Sequence, residues 1–581
     1  MDQRTQFDLE IATSFEGRAT GFAKLAMYLA LTLANATANL AGAQGPHETP
    51  RDLRWASFRN GGASTVSADA NPPTHWSPSE GIAWQVELPG YGQSSPIVVG
   101  DRILVTAVQG PMKEQNFVIC IDRNSGEEVW RTEEPSSLPA ASNYMHSRAA
   151  PTPVADRECV YAFFESGDLI AVNLNDGTKA WSCDIKQETG PLKTNHGLGS
   201  SLAQTDRLLY LNLEHDGPSA LLAIKKSDGS IAWKHERPSG SSWSSPVVIH
   251  RGDQHQVVVS SNGEVAGYDA ESGKEIWKIS DLAGNSVPSP LVDGDQIILG
   301  ARTPEFGSAA TAARSNLSLE FSEGAVEPEI AWRSKRCVAD YASPVVCRNN
   351  VFLVNGKGIL GCLDQQTGEE KYRQRLGMVC WATPIVHDDY VFLFGKYGKT
   401  TVLKADDTFS VISENHLWDS SAPPRPVAYV EHYPKAKGQH GGHGGHGGAS
   451  ASTGDGHSKH GHAKSDSHEP KHPDGSHDSG RKPEASMVER MLQKDADADG
   501  MLRGEEIPKR LASVMENIDL NKDGGLDESE LKKMAESFAA RRKGSRQSSR
   551  DPIVYGVAAD ATGFVIRTGT RLYAIEGSEN Q

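Results

Sequence analysis

Between residues 94 and 417 one unit recurs at intervals of about 40 to 57 residues, a spacing that belongs to radial or stacked arrays. Most copies open on a Ser/Thr-Pro-aliphatic step: Ser95-Pro96-Ile97, Thr152-Pro153-Val154, Ser245-Pro246-Val247, Ser289-Pro290-Leu291, Ser343-Pro344-Val345 and Thr383-Pro384-Ile385. Ser200-Ser201-Leu202 fills the same place without its proline. A turn such as Gly100-Asp101 or Asp293-Gly294-Asp295 then leads into a β-rich run, as at residues 103–106 and 351–354, which reads as a hairpin. A third strand follows a glycine, and the unit closes on Asp-x-x-x-Gly-x-x-x-Trp, as in Asp122, Gly126, Trp130 and in Asp269, Gly273, Trp277. Variants are Asn173, Gly177, Trp181; Lys225, Gly229, Trp233; and Asp364, Gly368, Tyr372. The glycine permits a tight turn, and the aromatic at its fixed offset can wedge against the neighbouring unit.

Four short antiparallel strands cannot bury both faces of their sheet alone, but sheets arranged radially can. The predicted fold is therefore all-β, an eight-bladed β-propeller. Seven units are complete between residues 82 and 420, and the eighth is split. Residues 551–577 supply its inner strands, and residues 82–86, Ile-Ala-Trp-Gln-Val, supply the missing outer strand from the other end of the chain.

The repeats at residues 118–130 and 169–181 resemble the pyrroloquinoline-quinone-type repeat. That repeat is shared by quinoprotein dehydrogenases and by the non-catalytic outer-membrane assembly lipoproteins of the BamB family. The resemblance spans roughly residues 82–420 and 551–577, and it implies the propeller more strongly than any activity. As a family, the dehydrogenases use a channel with calcium beside the quinone, an acidic base and often a disulfide between neighbouring cysteines. Here Cys120, Cys159, Cys183, Cys337, Cys347, Cys362 and Cys380 are scattered, with no adjacent pair, and read as buried strand residues. No Glu, Asn and Asp calcium set can be placed in the propeller, so pyrroloquinoline quinone is not expected and catalytic residues stay unassigned. A binding and assembly scaffold is the preferred function, with a quinone-dependent alcohol or sugar dehydrogenase as the alternative. Candidates at the channel mouth precede innermost strands: Asn143-Tyr144-Met145-His146-Ser147-Arg148, Asn195-His196-Gly197, Ser241-Ser242-Trp243 and Cys380-Trp381. Such a ring could bind an anionic or aromatic ligand, or it could satisfy loop backbone and pack between blades.

Two loops near the C-terminus carry more specific chemistry. In DLNKDGGLDESE, Asp519, Asn521, Asp523 and Asp527 fall at positions 1, 3, 5 and 9 of a calcium loop, and Glu530 closes it at position 12. Gly524 makes the sharp turn, and Gly525 ligates through its backbone carbonyl at position 7. In DADADGMLRGEE the matching residues are Asp495, Asp497, Asp499, Gly500, Met501 and Glu506, but Arg503 stands at position 9. A cation there predicts a weaker first site. Apolar residues at helical spacing flank both loops, so the segment at residues 484–545 resembles a tandem EF-hand, a small all-α pair. Only residues 507–518 separate the loops, and Pro508 marks a break, so a compact structural pair is expected rather than a wide-opening sensor.

Residues 434–483 are rich in Gly, Ser, His, Lys and Asp and hold too few apolar residues for a core, which predicts a disordered linker. Half of the 20 histidines lie between His432 and His477, including His440, His443, His446, His457, His460 and His462. Imidazoles on a flexible tether can chelate nickel, zinc or copper, or they can be incidental to a soluble linker. Near the other end, an apolar stretch at residues 25–40 follows Arg18 and Lys24 and precedes Ala41-Gly42-Ala43, which makes residues 1–43 a secretory signal and places the protein in the periplasm or outside the cell. The formal charge of −16 argues against nucleic acid and anionic membranes, leaving a protein, peptide or cell-envelope polymer as partner, and no transmembrane span is expected.

Overall fold

The computed structural model describes residues 55–140, 146–252, 254–303, 309–424, 495, 499–507, 519, 521, 523–533 and 552–577. The expected signal segment and the His-rich linker lie outside the described residues.

Eight four-stranded antiparallel sheets form the ring, each with its strands in sequence order from the axis outward. Blade one runs Ile97–Val99, Arg102–Gln109, Gln115–Asp122 and Glu128–Pro135. The eighth is composite: Val554–Ala559, Gly563–Thr568 and Arg571–Glu576 come from the C-terminal end, and Ile82–Glu87 adds the outermost strand. Its register pairs Trp84 with Ala574 and Glu87 with Arg571, so both ends of the chain close one sheet and leave no open seam. Arg123 of blade one locks the closure, donating to Asp560 at 2.6 Å and to Glu576 at 2.6 Å. Burial alone would raise the Asp560 carboxyl, but the Arg123 charge and the hydrogen bonds from Arg123 and Thr562 hold it below the usual carboxylate range.

Burial follows radial position. Middle strands such as Leu208–Leu213 are buried at every residue, because a blade packs on each face, whereas the outermost Ile231–Arg237 alternates between half-buried and exposed positions. The closing motif of each unit explains how blades meet. The indole N–H of Trp84 donates to the Arg123 carbonyl at 3.0 Å, Trp130 to Leu174 at 3.0 Å, Trp181 to Lys226 at 2.8 Å, Trp233 to Ala270 at 2.9 Å and Trp332 to Gln365 at 2.7 Å. Each indole also covers the motif glycine of the following blade. A Cβ at Gly177 would lie 2.5 Å from Trp130, and that glycine holds a φ of +71°. Trp277 departs from the rule and donates to Gln256 Oε1 at 2.8 Å in its own blade, because the fifth blade has no motif glycine to receive it.

Candidate functional site

The Ser/Thr of each opening step stands at the axis, where its side-chain oxygen accepts the backbone N–H of the corresponding residue one blade earlier. The bonds run from Ser95 to Thr152 (3.0 Å), Thr152 to Ser201 (3.0 Å), Ser201 to Ser245 (2.9 Å), Ser245 to Ser289 (2.9 Å), Ser289 to Ser343 (3.0 Å) and Ser343 to Thr383 (3.3 Å). Ser201, which lacks the following proline, keeps its place in this circle. In the eighth blade Gly556 replaces the hydroxyl residue, and the Ser95 hydroxyl approaches to 2.2 Å of where its Cβ would be.

These hydroxyls surround an axial chamber of about 140 Å³. Above it lies an arc of aromatic rings. Tyr341 and Trp381 have centroids 5.9 Å apart, Trp381 and Tyr555 5.9 Å, and Tyr555 and Tyr91 6.2 Å, the last two joined through their hydroxyls at 2.7 Å. A second run links His146 to His196 and His196 to Trp243, each at 6.1 Å. Cations sit on these rings: Lys396 Nζ is 3.6 Å from the Trp381 centroid, and the Arg148 guanidinium is 4.6 Å from that of Tyr91. Burial lowers the Lys396 amine, and burial together with Lys113, His196 and Arg148 lowers His146, which keeps that imidazole neutral near pH 7.

An N-terminal strap closes the other end. It runs across the ring from Trp55, bridged to Val98 of blade one, to Thr65, bridged to Val386 of blade seven. Between them Arg59, Asn60 and Gly61 all take positive φ, which places Phe58 on the chamber floor and buries Arg59 to 3 % exposure. Backbone strain at two non-glycine residues is held there by the surrounding ring.

The calcium loops are described only in part, and Asp497 lies outside the described residues. Loop geometry is nevertheless paired: Met501–Arg503 and Gly525–Asp527 form a two-stranded antiparallel ribbon with Leu502 opposite Leu526. That ribbon is an addition to the expected all-α pair. Asp495 Oδ2 accepts the Gly500 N–H at 2.8 Å, and Asp519 Oδ2 accepts the Gly524 N–H at 3.0 Å. In both aspartates the other oxygen, Oδ1, is buried without a hydrogen-bond partner. Glu530 is buried, and its two oxygens accept the N–H groups of Asn521 and Asp527 at 3.2 and 3.1 Å. Among the described residues no three His, Cys, Asp or Glu side chains converge closely enough to hold a metal ion. Arg503 folds over the first loop and donates to Asp499, its position-5 carboxylate, and to Met501 Sδ at 2.9 Å.

Residues 57–197 and 188–411 match the family model described as outer membrane protein assembly factor BamB. This chain belongs to that family. Among curated relatives, the BamB of Alkalilimnicola ehrlichii is 28 % identical over 36 % of this chain and 48 % of its own length. The BamB of Yersinia pestis is 24 % identical over 50 % of this chain and 72 % of its own. The chain thus spans about half the length of the first relative. Of solved structures, BamB from Moraxella catarrhalis is similar with a TM-score of 0.42 and 13 % identity, covering 57 % of this chain and 87 % of that one.

In this BamB-family propeller, the structure brings together His146, Arg148, His196, Trp243 and Trp381 from the sequence-predicted mouth residues. Cys380 is buried and does not face the mouth, Ser242 is buried with its hydroxyl on the Ser286 carbonyl at 3.2 Å, and residues 143–145 lie outside the described residues. Tyr91, Tyr341, Tyr555, Lys396 and the strap residues Phe58 and Arg59 were not foreseen. A signal existed for one of them: Trp243, Tyr341 and Trp381 each stand two residues before a ring hydroxyl, at Ser245, Ser343 and Thr383. The seven cysteines are all free, with five of them buried, as their placement in strands suggested.

Proposed function

We propose that this protein is an exported, calcium-binding scaffold that engages a protein, peptide or cell-envelope polymer at the aromatic mouth of its propeller. The observation that carries the reading is the arc of rings and cations over a chamber of about 140 Å³. Sites that enclose a whole small molecule usually offer roughly 300–1,000 Å³. A rim of Tyr, Trp, Arg and Lys around a smaller hollow suits part of a larger partner, with the rings as anchors. Membership of a family described as an assembly factor supports the same class of role. Periplasmic or secreted localisation rests on the N-terminal signal pattern and on that family.

Calcium belongs to the two loops. The orphaned, buried Oδ1 atoms of Asp495 and Asp519 stand at position 1 of each loop, where a cation would satisfy them. Glu506 and Glu530 would close the loops, Asp497, Asp499, Asn521, Asp523 and Asp527 would complete them, and Met501 and Gly525 would add backbone oxygens. The ion would order the insertion that precedes the last blade. Nickel, zinc or copper on the His-rich tether remains a separate proposal that rests on composition alone.

The second reading is the quinone-dependent dehydrogenase. Incubating the full chain with pyrroloquinoline quinone and calcium separates the two. The scaffold reading expects no retained quinone spectrum and no alcohol- or sugar-dependent dye reduction; a retained spectrum with turnover would overturn it.

A further inference from the structure

The axial chamber has a chemical polarity that its role as a blade junction does not use. Thr152, Ser201, Ser245, Ser289 and Ser343 are each at most 4 % exposed, and each spends one oxygen lone pair on a neighbouring blade's N–H. A hydroxyl also carries one O–H donor. Among the described residues, none of these five hydroxyls donates to a protein acceptor. Buried donors without acceptors are costly, so a repeated set of them implies a partner in the chamber.

The floor agrees with the walls. Arg59 Nη2 donates to the carbonyl of Pro290, the residue after Ser289, at 2.5 Å, while its Nε and Nη1 are buried without partners. Burial lowers the Arg59 guanidinium to about 9, the mark of a cation with no counter-charge. No Asp or Glu is among the described residues that line the chamber. Donors on the walls, an unneutralised cation beneath, and no carboxylate define the charge of what fits.

We propose that the axial chamber is an anion site, taking a carboxylate or a small inorganic oxyanion through the Thr152, Ser201, Ser245, Ser289 and Ser343 hydroxyls with Arg59 as counter-cation. Trp243, Tyr341 and Trp381 line the same hollow and cover its entrance side, so a carboxylate carried by a larger ligand would enter beneath stacked rings. The identity of that larger ligand rests on the reading of the mouth as the binding face. The chamber's preference for an anion does not.

The test is a titration of the full chain with sodium acetate, sodium phosphate and neutral acetamide at constant ionic strength, read by tryptophan fluorescence. Acetate or phosphate should give a saturable change and acetamide none. Arg59→Gln should weaken the anion by about tenfold or more, the scale of a lost charge-assisted hydrogen bond, and Arg59→Lys should restore part of it. Phosphate binding ahead of acetate assigns a free inorganic anion, and a peptide that binds better with a free than an amidated C-terminus assigns a ligand-borne carboxylate; either supports the site. An equal response to acetate and acetamide, or no saturation with any anion on the wild-type chain, would overturn it without need of a variant. Partner capture at Tyr341 would still stand in that case, which separates this failure from failure of the scaffold reading.

Discussion

Arg503 sets the two calcium loops apart. In the second loop position 9 is Asp527, whose carboxylate accepts the Glu530 N–H at 2.8 Å and so pins the closing ligand. In the first, the same position carries a guanidinium that already holds Asp499. Calcium must displace that internal cation, so the first loop should fill after the second. Calorimetry on the full chain should resolve two unequal sites, with Glu530→Gln abolishing the tighter one. Arg503→Ser should tighten the weaker one by about two- to fivefold, matching the 0.2–1 kcal/mol typical of an exposed ion pair. Equal sites, or an unchanged weak site in Arg503→Ser, would refute this order. The ligand positions were legible because a calcium loop fixes oxygen donors at set offsets along twelve residues. The grip of Arg503 on Asp499 was not, since it depends on a rotamer.

At the scale of the element, the closing motif is a two-part joint: glycine receives the previous blade's indole, and tryptophan reaches for the next blade's glycine. The sequence showed both residues and their spacing, and it suggested the wedge. It could not show that the glycine itself is the socket, because that needs the neighbour's position. Gly177→Ala meets both a left-handed backbone and Trp130, which should cost about 2–4 kcal/mol from a strained φ and overpacking together. Gly324 has a similar φ of +73° but nothing within 4 Å. Gly324→Ala should therefore cost only about 1–2 kcal/mol. Urea unfolding of the two variants checks this, and equal losses would show that the indole contact carries no weight. The hydroxyl circle was half visible in the same way. The Ser/Thr-Pro steps marked where strands begin, but a ring of bonds between blades emerges only when the ends meet.

At the scale of the whole molecule, closure joins residues far apart in sequence, and the pattern predicted it because Ile82–Glu87 reads as an outer strand with no inner partners beside it. The insertion between the seventh and eighth blades leaves that closure intact. The strap was invisible: nothing in the composition of residues 55–66 announces that Phe58 will floor a channel and that Arg59 will be buried under it. Its placement gives the propeller one stoppered end and one aromatic end, and only the second offers exposed rings around the axis.

The scaffold account therefore turns on which surface touches the partner. Tyr341 at the mouth and Val129 on the outermost strand of blade one are almost equally exposed, at 40 % and 39 %. A photo-crosslinking residue placed at each in the full chain, and activated in native envelope membranes with their periplasmic contents, compares the two surfaces at matched accessibility. A discrete adduct from Tyr341 that is absent from Val129 is the predicted result. Adducts of equal yield from both positions, or from Val129 alone, would contradict a binding face at the propeller mouth.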